Sequence, residues 1–395
     1  MASNAPRKAR EGPTAAMHDE WTQGNRFELL PAAENYVPAM LSAIENAKHL
    51  ILFEQYLMES GHHADLFVDA LAKAARRGVP IYLLLDTYGT KGFTHRDRQR
   101  LIDAGAALRL FNPVTPGRLS KSLARDHRKL LLIDHRIAFT GGFCITDKFL
   151  YDWYDIAIKV EGPVVEDWAA LFSRAWSVSR AWSAAMQYRH PRPLPVNRPT
   201  GSGESGNDAS GMLGRVVHGE GRRYQEIRFS LQRRISAAQQ RVWLYTPYFL
   251  PTFSLRRRLM AAARRGVDVR LLVAGPRHDH PSVRYTGQHF YRRLLRAGVR
   301  IYEYQPTFTH AKFCLVDDWS TIGSCNFDHW SLRWNLEANQ EVISARFARE
   351  MRQLFEDNLA RSREIDLVSW ARRPKWQACR ERVLGTANAW LTLLR

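Results

Sequence analysis

The chain has 395 residues, 45% of them hydrophobic and 25% charged, enough for two packed domains and too apolar for a disordered chain. Its formal charge of +19 excludes an acidic protein and predicts attraction to polyanions, either nucleic acid or anionic lipid surfaces. Four cysteines without a Cys-x-x-Cys pair supply no zinc framework, and no run reaches the roughly 18 apolar residues of a membrane span.

A basic N-terminal tail, residues 1–24, lacks the apolar core of a secretory signal. The first strand with an aromatic end is Ile51-Leu-Phe-Glu-Gln-Tyr56. Next, Lys73-Ala-Ala-Arg-Arg-Gly-Val79 reads as a helix end with a glycine stop, leading to the strand Ile81–Leu85. Arg100-Leu-Ile-Asp-Ala-Gly105 repeats that pattern and leads through Leu108 to Pro113. After a basic stretch, Val114–Asp126, come His127-Arg128-Lys129, then Asp134 and the pair Gly141-Gly142. Residues 190–211, dense in Pro, Gly, Ser and Asn, read as a solvated linker.

Beyond the linker the same order returns. Val242-Trp-Leu-Tyr-Thr-Pro-Tyr248 is the aromatic-ended strand, and Ala261-Ala-Ala-Arg-Arg-Gly-Val267 leads to Val269–Val273. Arg293-Leu-Leu-Arg-Ala-Gly298 leads through Ile301 to Pro306, and then come His310-Ala311-Lys312, Asp317 and Gly323-Ser324. Such a repeat predicts an α/β protein of two similar lobes, residues 25–189 and 212–360, related by pseudo-twofold symmetry. Strand–helix alternation predicts a mixed, mostly parallel sheet flanked by helices in each lobe. One asymmetry stands out: 14 positions separate Pro113 from His127, but 4 separate Pro306 from His310. Val114–Asp126 is therefore an insertion, either a loop contacting an anionic substrate or a plain surface excursion.

Strand alternation puts His127 with Lys129, and His310 with Lys312, on common faces. Two such motifs meeting across a pseudo-twofold axis bring two imidazoles and two ammonium groups to one point, which suits a phosphodiester. The lysines neutralise non-bridging oxygens, with no metal or other cofactor required. One imidazole attacks phosphorus while the other protonates the leaving oxygen. Each imidazole needs a partner to set its tautomer. Asp155 lies 28 residues after His127 and Glu337 lies 27 after His310, while the second hairpin is one residue shorter, so both carboxylates occupy one place in the repeat. Asp134 and Asp317 complete the motifs, with a structural task expected on charges or backbone amides near the lysines. Asn326 offers an amide to phosphate or sets a turn.

The duplicated His-Lys-Asp pattern resembles the phospholipase D superfamily, from about Asn25 to Phe355. His127-Arg-Lys-Leu-Leu-Leu-Ile-Asp134 with Gly141-Gly142, Glu161-Gly-Pro-Val-Val165 and Asn335-Leu-Glu-Ala-Asn339 look most like bacterial cardiolipin synthases, the short B type in particular. That resemblance implies phosphatidyl transfer from phosphatidylglycerol to a second phospholipid through a phosphohistidine. It implies His127 as nucleophile and His310 as acid and base, with Glu337 orienting His127 and Asp155 orienting His310. It also implies peripheral attachment to the bacterial inner membrane. Cys144 departs from the family pattern, which usually has Asn there; Asn326 keeps it.

The basic C-terminal segment, residues 361–395, carries Trp370, Trp376 and Trp390 and is read as an interfacial helix or as a helix packed on the second lobe. Phe172–Tyr188 is a second candidate for lipid contact. Two rival functions share the charge: a phosphodiesterase hydrolysing phospholipid or nucleic acid, and a non-catalytic basic adaptor on a membrane. Nucleic acid is disfavoured because the arginine-rich segments form no aromatic stacking platform.

Overall fold

A computed structural model describes residues 21–112, 124–181, 211–220, 224–329, 331–332, 335–374 and 376. The linker 190–211 therefore lies almost wholly outside the described residues, as do most of the insertion and most of the C-terminal segment. Lobe 1 contains β1 (Thr22–Pro31), β2 (Ile51–Gln55), β3 (Ile81–Asp86), β4 (Ala107–Phe111), β5 (Leu130–Ile133), β6 (Ile137–Gly141), β7 (Trp153–Tyr154), β8 (Ile156–Glu161) and β9 (Arg180–Ala181). Lobe 2 contains β10 (Met212–Glu220), β11 (Tyr224–Gln225), β12 (Arg241–Thr246), β13 (Asp268–Ala274), β14 (Arg300–Tyr304), β15 (Phe308–Thr309), β16 (Phe313–Val316), β17 (Trp319–Gly323), β18 (Leu336–Ile343) and β19 (Ser362–Ile365).

The duplication read from the sequence reappears in strand order. Lobe 1 runs β1-β8-β6-β5-β2-β3-β4-β9 and lobe 2 runs β10-β18-β17-β16-β12-β13-β14-β19. The first strands of the two sets, β1 and β10, pair antiparallel and join the lobes. The sheets are mixed as expected, but they are not mostly parallel. Parallel pairing within each sheet is confined to β2-β3-β4 and β12-β13-β14. Strand–helix alternation holds only over those three strands; afterwards each motif folds into a tight hairpin, which forces antiparallel pairing.

Strand alternation divides the apolar residues among layers. Ile51, Phe53, Leu83 and Leu131 face the helices Ala33–Glu45 and His62–Arg76 on one side of the lobe 1 sheet. Leu52, Leu84, Leu130 and Leu132 face the other way, into a core shared with Tyr245, Phe313 and Leu315 of lobe 2. Two helices fill that shared layer, Val165–Val178 and Ala345–Ala360. Val165, Trp168, Ala169, Phe172 and Trp176 form one buried stripe, and Phe347, Met351 and Phe355 another. The order is thus helix, sheet, helix, sheet, helix. Trp168 Nε1 donates to Gln340 Oε1 across the lobes at 2.9 Å, so one buried polar pair ties the two lobes within this core. Among the described residues no helix is long and apolar enough to cross a membrane.

Candidate active site

Neither motif triplet lies on its own strand. His127-Arg128-Lys129 precedes β5 and His310-Ala311-Lys312 precedes β16. Their backbones are held by the opposite lobe instead. His127 N–H donates to Leu336 O at 2.9 Å, and His310 N–H donates to Tyr154 O at 2.7 Å. The residues after those two carbonyls are Glu337 and Asp155. As a result, His127 Nδ1 sits 3.0 Å from the Glu337 carboxylate and His310 Nδ1 sits 2.8 Å from Asp155 Oδ2. Each carboxylate thus meets Nδ1 of an imidazole from the other lobe, the contact that sets a ring's orientation and tautomer. Sequence counting had matched Asp155 with Glu337, and the structure pairs each with the motif of the other lobe.

In lobe 1 a glycine makes room for the carboxylate of Asp155. A Cβ on Gly142 would lie 2.4 Å from Asp155 Oδ1, and Gly141, at φ +152°, passes 2.4 Å from Ile156 O in the same sense. Lobe 2 has Ser324 where lobe 1 has Gly142, and its hydroxyl donates to Glu337 Oε2 at 2.6 Å. Glu337 therefore keeps a hydroxyl donor that Asp155 lacks. Arg128, fully buried, adds a lobe 1 brace: it meets Asp126 at 2.9 Å and Glu54 at 2.8 Å, where lobe 2 has only Ala311.

Both motif lysines are buried, and among the described residues neither forms an ion pair. Lys129 Nζ donates to His127 O at 2.5 Å, and Lys312 Nζ donates to His310 O at 2.6 Å. The Lys312 ammonium also lies 2.8 Å from His310 Nδ1 and 3.2 Å from Nε2. Burial pulls the Lys312 ammonium down to about 8, with Lys129 adding to the effect against Asp155. Burial pushes Asp155 up to about 7, opposed by the two lysines. Both imidazoles are held below their usual range, first by burial. For His310 the lysine charges deepen the effect, and for His127 the Glu337 charge opposes it.

Asp134 and Asp317 are placed elsewhere. The Asp134 carboxylate accepts the backbone N–H groups of Lys48, His49 and Leu50 at 2.7–2.9 Å, and Asp317 accepts those of Gln239, Gln240 and Arg241 at 2.9 Å. Both sit at left-handed backbone positions, φ 54° and 51°, at the hairpin turns. They fasten the far end of each hairpin to the loop entering β2 or β12. The contacts expected near the motif lysines are not made; both carboxylates bind these loop amides instead. The turn between β16 and β17 is one residue shorter than that between β5 and β6, as counted from the sequence.

His127 and His310 open into one cleft of about 740 Å³ between the lobes. Cys144 and Asn326, equivalent in the repeat, both line it. Asn326 Nδ2 donates to Ser331 Oγ at 3.3 Å, while burial pushes the Cys144 thiol up to about 11. Three lining residues were not singled out from sequence. Tyr56 packs its ring 4.7 Å from His127, Tyr248 lies 6.2 Å from His310, and Asp279 bonds the Tyr248 hydroxyl. The two tyrosines were visible as the aromatic ends of matching strands; Asp279 carries no repeat signal. Of the insertion, Arg125 and Asp126 are described: Arg125 lies 3.6 Å from Asp86, and Asp126 N–H donates to Asp86 at 3.0 Å. Residues 113–123 lie outside the described residues.

Comparison with known proteins follows the duplication. A family model described as "Cardiolipin synthase, PLD-like domain" matches residues 40–176 and 231–359, one block per lobe. Cardiolipin synthase A of Erwinia tasmaniensis is 32% identical over 375 residues, covering 91% of this chain and 74% of that protein. The enzyme of the same name from Pectobacterium atrosepticum is 31% identical over 376 residues, with the same coverage. The crystal structure of phosphatidylserine synthase from Haemophilus influenzae Rd KW20 shares the fold, with a TM-score of 0.70 at 15% identity over 94% of this chain and 95% of that one. These two relatives are cardiolipin synthases of the A type, and the short B type expected from the motifs is not among them. With both motif blocks matched and 32% identity across 91% of its length, this chain belongs to the cardiolipin synthase family of phospholipase D-like proteins.

Proposed function

We propose that this protein is a phosphatidyltransferase that makes cardiolipin from two molecules of phosphatidylglycerol on an anionic membrane surface. One observation carries the reading: two imidazoles, each oriented by a carboxylate of the opposite lobe, open into a single cleft beside two buried lysines.

His127 Nε2 attacks the phosphorus of the donor lipid, and the bond to the leaving glycerol oxygen breaks. A phosphatidyl group is left on His127, and glycerol departs with a proton from His310. The primary hydroxyl of the second lipid then attacks phosphorus, giving its proton to His310 as the P–N bond breaks. Lys129 and Lys312 offset the charge on the non-bridging oxygens in both steps. His127 is favoured as nucleophile because both His310 ring nitrogens lie within 3.2 Å of the Lys312 ammonium, which competes for their lone pairs. A neutral His310 needs a proton source. Asp155, pushed up to about 7, holds one near neutral pH, and an entering phosphate anion favours its passage to the imidazole.

Incubating the full chain with phosphatidylglycerol vesicles and resolving the products by mass spectrometry tests the reading. Cardiolipin with equimolar glycerol is expected. Phosphatidic acid as the main product would make water the acceptor, and no turnover would reject an enzyme of this class.

A further inference from the structure

We propose that lobe 2 carries the membrane-docking surface, a basic and aromatic patch formed by the helices Phe253–Arg264 and Tyr291–Arg296, which seats the cleft mouth on anionic phosphodiester headgroups. The proposal rests on the reading of the substrate as a bilayer lipid. The duplication supplies its own control. In lobe 1 the equivalent helices, His62–Arg76 and His95–Asp103, carry four aspartates against five basic residues. Three of those aspartates share one cation: Arg100 pairs with Asp65 at 3.1 Å, Asp69 at 2.5 Å and Asp97 at 3.2 Å. In lobe 2 the pair carries seven arginines, Arg256, Arg257, Arg258, Arg264, Arg292, Arg293 and Arg296, and no carboxylate. Among the described residues none of the seven forms an ion pair.

Unbalanced charge of this density on two neighbouring helices requires an external anion or tolerates mutual repulsion, and two further features point to lipid. Phe253 opens the first helix with 68% of its surface exposed, three residues after Leu250, which lines the cleft. An exposed ring ringed by arginines suits the boundary between headgroups and acyl chains. Behind it, the Arg256 guanidinium stacks 4.2 Å from the Phe290 ring, with its buried Nε lacking a hydrogen-bond partner. Such a stacked guanidinium is held ready for an anion rather than spent on the fold. The opposite lip presents a smaller counterpart: Tyr88, 54% exposed, with Lys91 Nζ 4.2 Å from its ring. Both belong to the lining of the cleft.

The test uses the full chain and vesicles of phosphatidylcholine with or without phosphatidylglycerol. The triple variant Arg257→Gln, Arg292→Gln, Arg293→Gln should bind anionic vesicles about a hundredfold more weakly at low ionic strength, at about fivefold per removed charge. The lobe 1 variant Lys73→Gln, Arg76→Gln, Arg96→Gln removes the same charge and should weaken binding less than about threefold. Phe253→Ser, with charge unchanged, should lose about tenfold. All three should keep wild-type turnover of a short-chain, water-soluble phosphatidylglycerol. Equal losses in both triple variants would reduce the effect to net charge and overturn the proposal. So would unchanged vesicle binding in the lobe 2 variant, or loss of duplex DNA binding with vesicle binding retained. Should the wild type turn over no lipid, the proposed function fails while vesicle binding still judges the surface.

Discussion

Asp155 Oδ2 lies 2.8 Å from His310 Nδ1 although the two residues sit on different lobes, 155 positions apart. Glu337 and His127 repeat the arrangement across 210 positions. Each lobe therefore supplies an imidazole to its own half-site and the orienting carboxylate to the other. Separated lobes would lose both pairings at once, which makes the packed layer around Trp168, Phe172, Phe347 and Phe355 a condition of the chemistry.

Replacing either orienting carboxyl by its amide, which keeps the shape, tests this dependence. Asp155→Asn and Glu337→Gln are each expected to lower kcat by about 10²–10⁴-fold, by freeing the imidazole to adopt the wrong tautomer. Circular dichroism should remain native. Wild-type kcat in either variant contradicts the cross-lobe account.

The pH dependence follows from the two shifted groups. Lys312 falls from 10.5 to about 8, so the unfolded state binds more protons between those values and stability rises with pH across that window. Asp155 rises from 3.8 to about 7, so the folded state binds more protons there and stability falls as pH climbs through it. Activity should drop above about 8, as the Lys312 charge is lost, and above about 7 as the Asp155–His310 pair loses its proton. Turnover of soluble substrate that is flat from neutral to clearly alkaline pH would contradict both assignments.

The motif aspartates act on the fold. Asp134→Ala or Asp317→Ala removes three charge-assisted bonds to backbone amides and should cost about 2–4 kcal/mol of stability. For Asp317, burial works upward, yet the Gln239, Arg241 and Gln240 amides hold the carboxyl below its usual value, so this stability is lost as pH falls through the lowered value. Denaturant titration should detect the loss, with kcat of the folded fraction within a few-fold of wild type. A large kcat defect without destabilisation would move these residues into the chemistry.

The two halves of the cleft should differ at their equivalent positions. Asn326→Ala removes an amide able to bond phosphate and should raise KM about tenfold. Cys144→Ala removes a thiol that burial keeps protonated, with its pKa at about 11, and should change KM by less than about threefold. Equal effects would show that Cys144 contacts phosphate as strongly as Asn326.

Much of this site could be read from residue spacing, because a duplicated motif is its own alignment. The match of Asp155 with Glu337 needed only counting, and the hairpin length difference behind it is visible in the turns after Ile133 and Val316. What spacing could not reveal was the exchange of partners between lobes, since Leu336 and Tyr154 act through backbone carbonyls that any residue type offers. The bridging pair β1 and β10 was missed for the same reason. Strand direction after the third strand was misjudged because apolar runs look alike in parallel and antiparallel sheets. Asp279 stayed hidden because it is unique to one half. Of the C-terminal segment, Trp370 is buried 5.1 Å from Tyr291, so this part packs on lobe 2; residues 377–395 lie outside the described residues.

The most direct measurement is trapping of the covalent enzyme by a neutral detergent quench with phosphatidylglycerol radiolabelled at phosphorus, followed by peptide mapping without acid. The account predicts one acid-labile label on His127, absent from His127→Ala and slow to form in His310→Ala. Label on His310, or on both histidines at once, would contradict it.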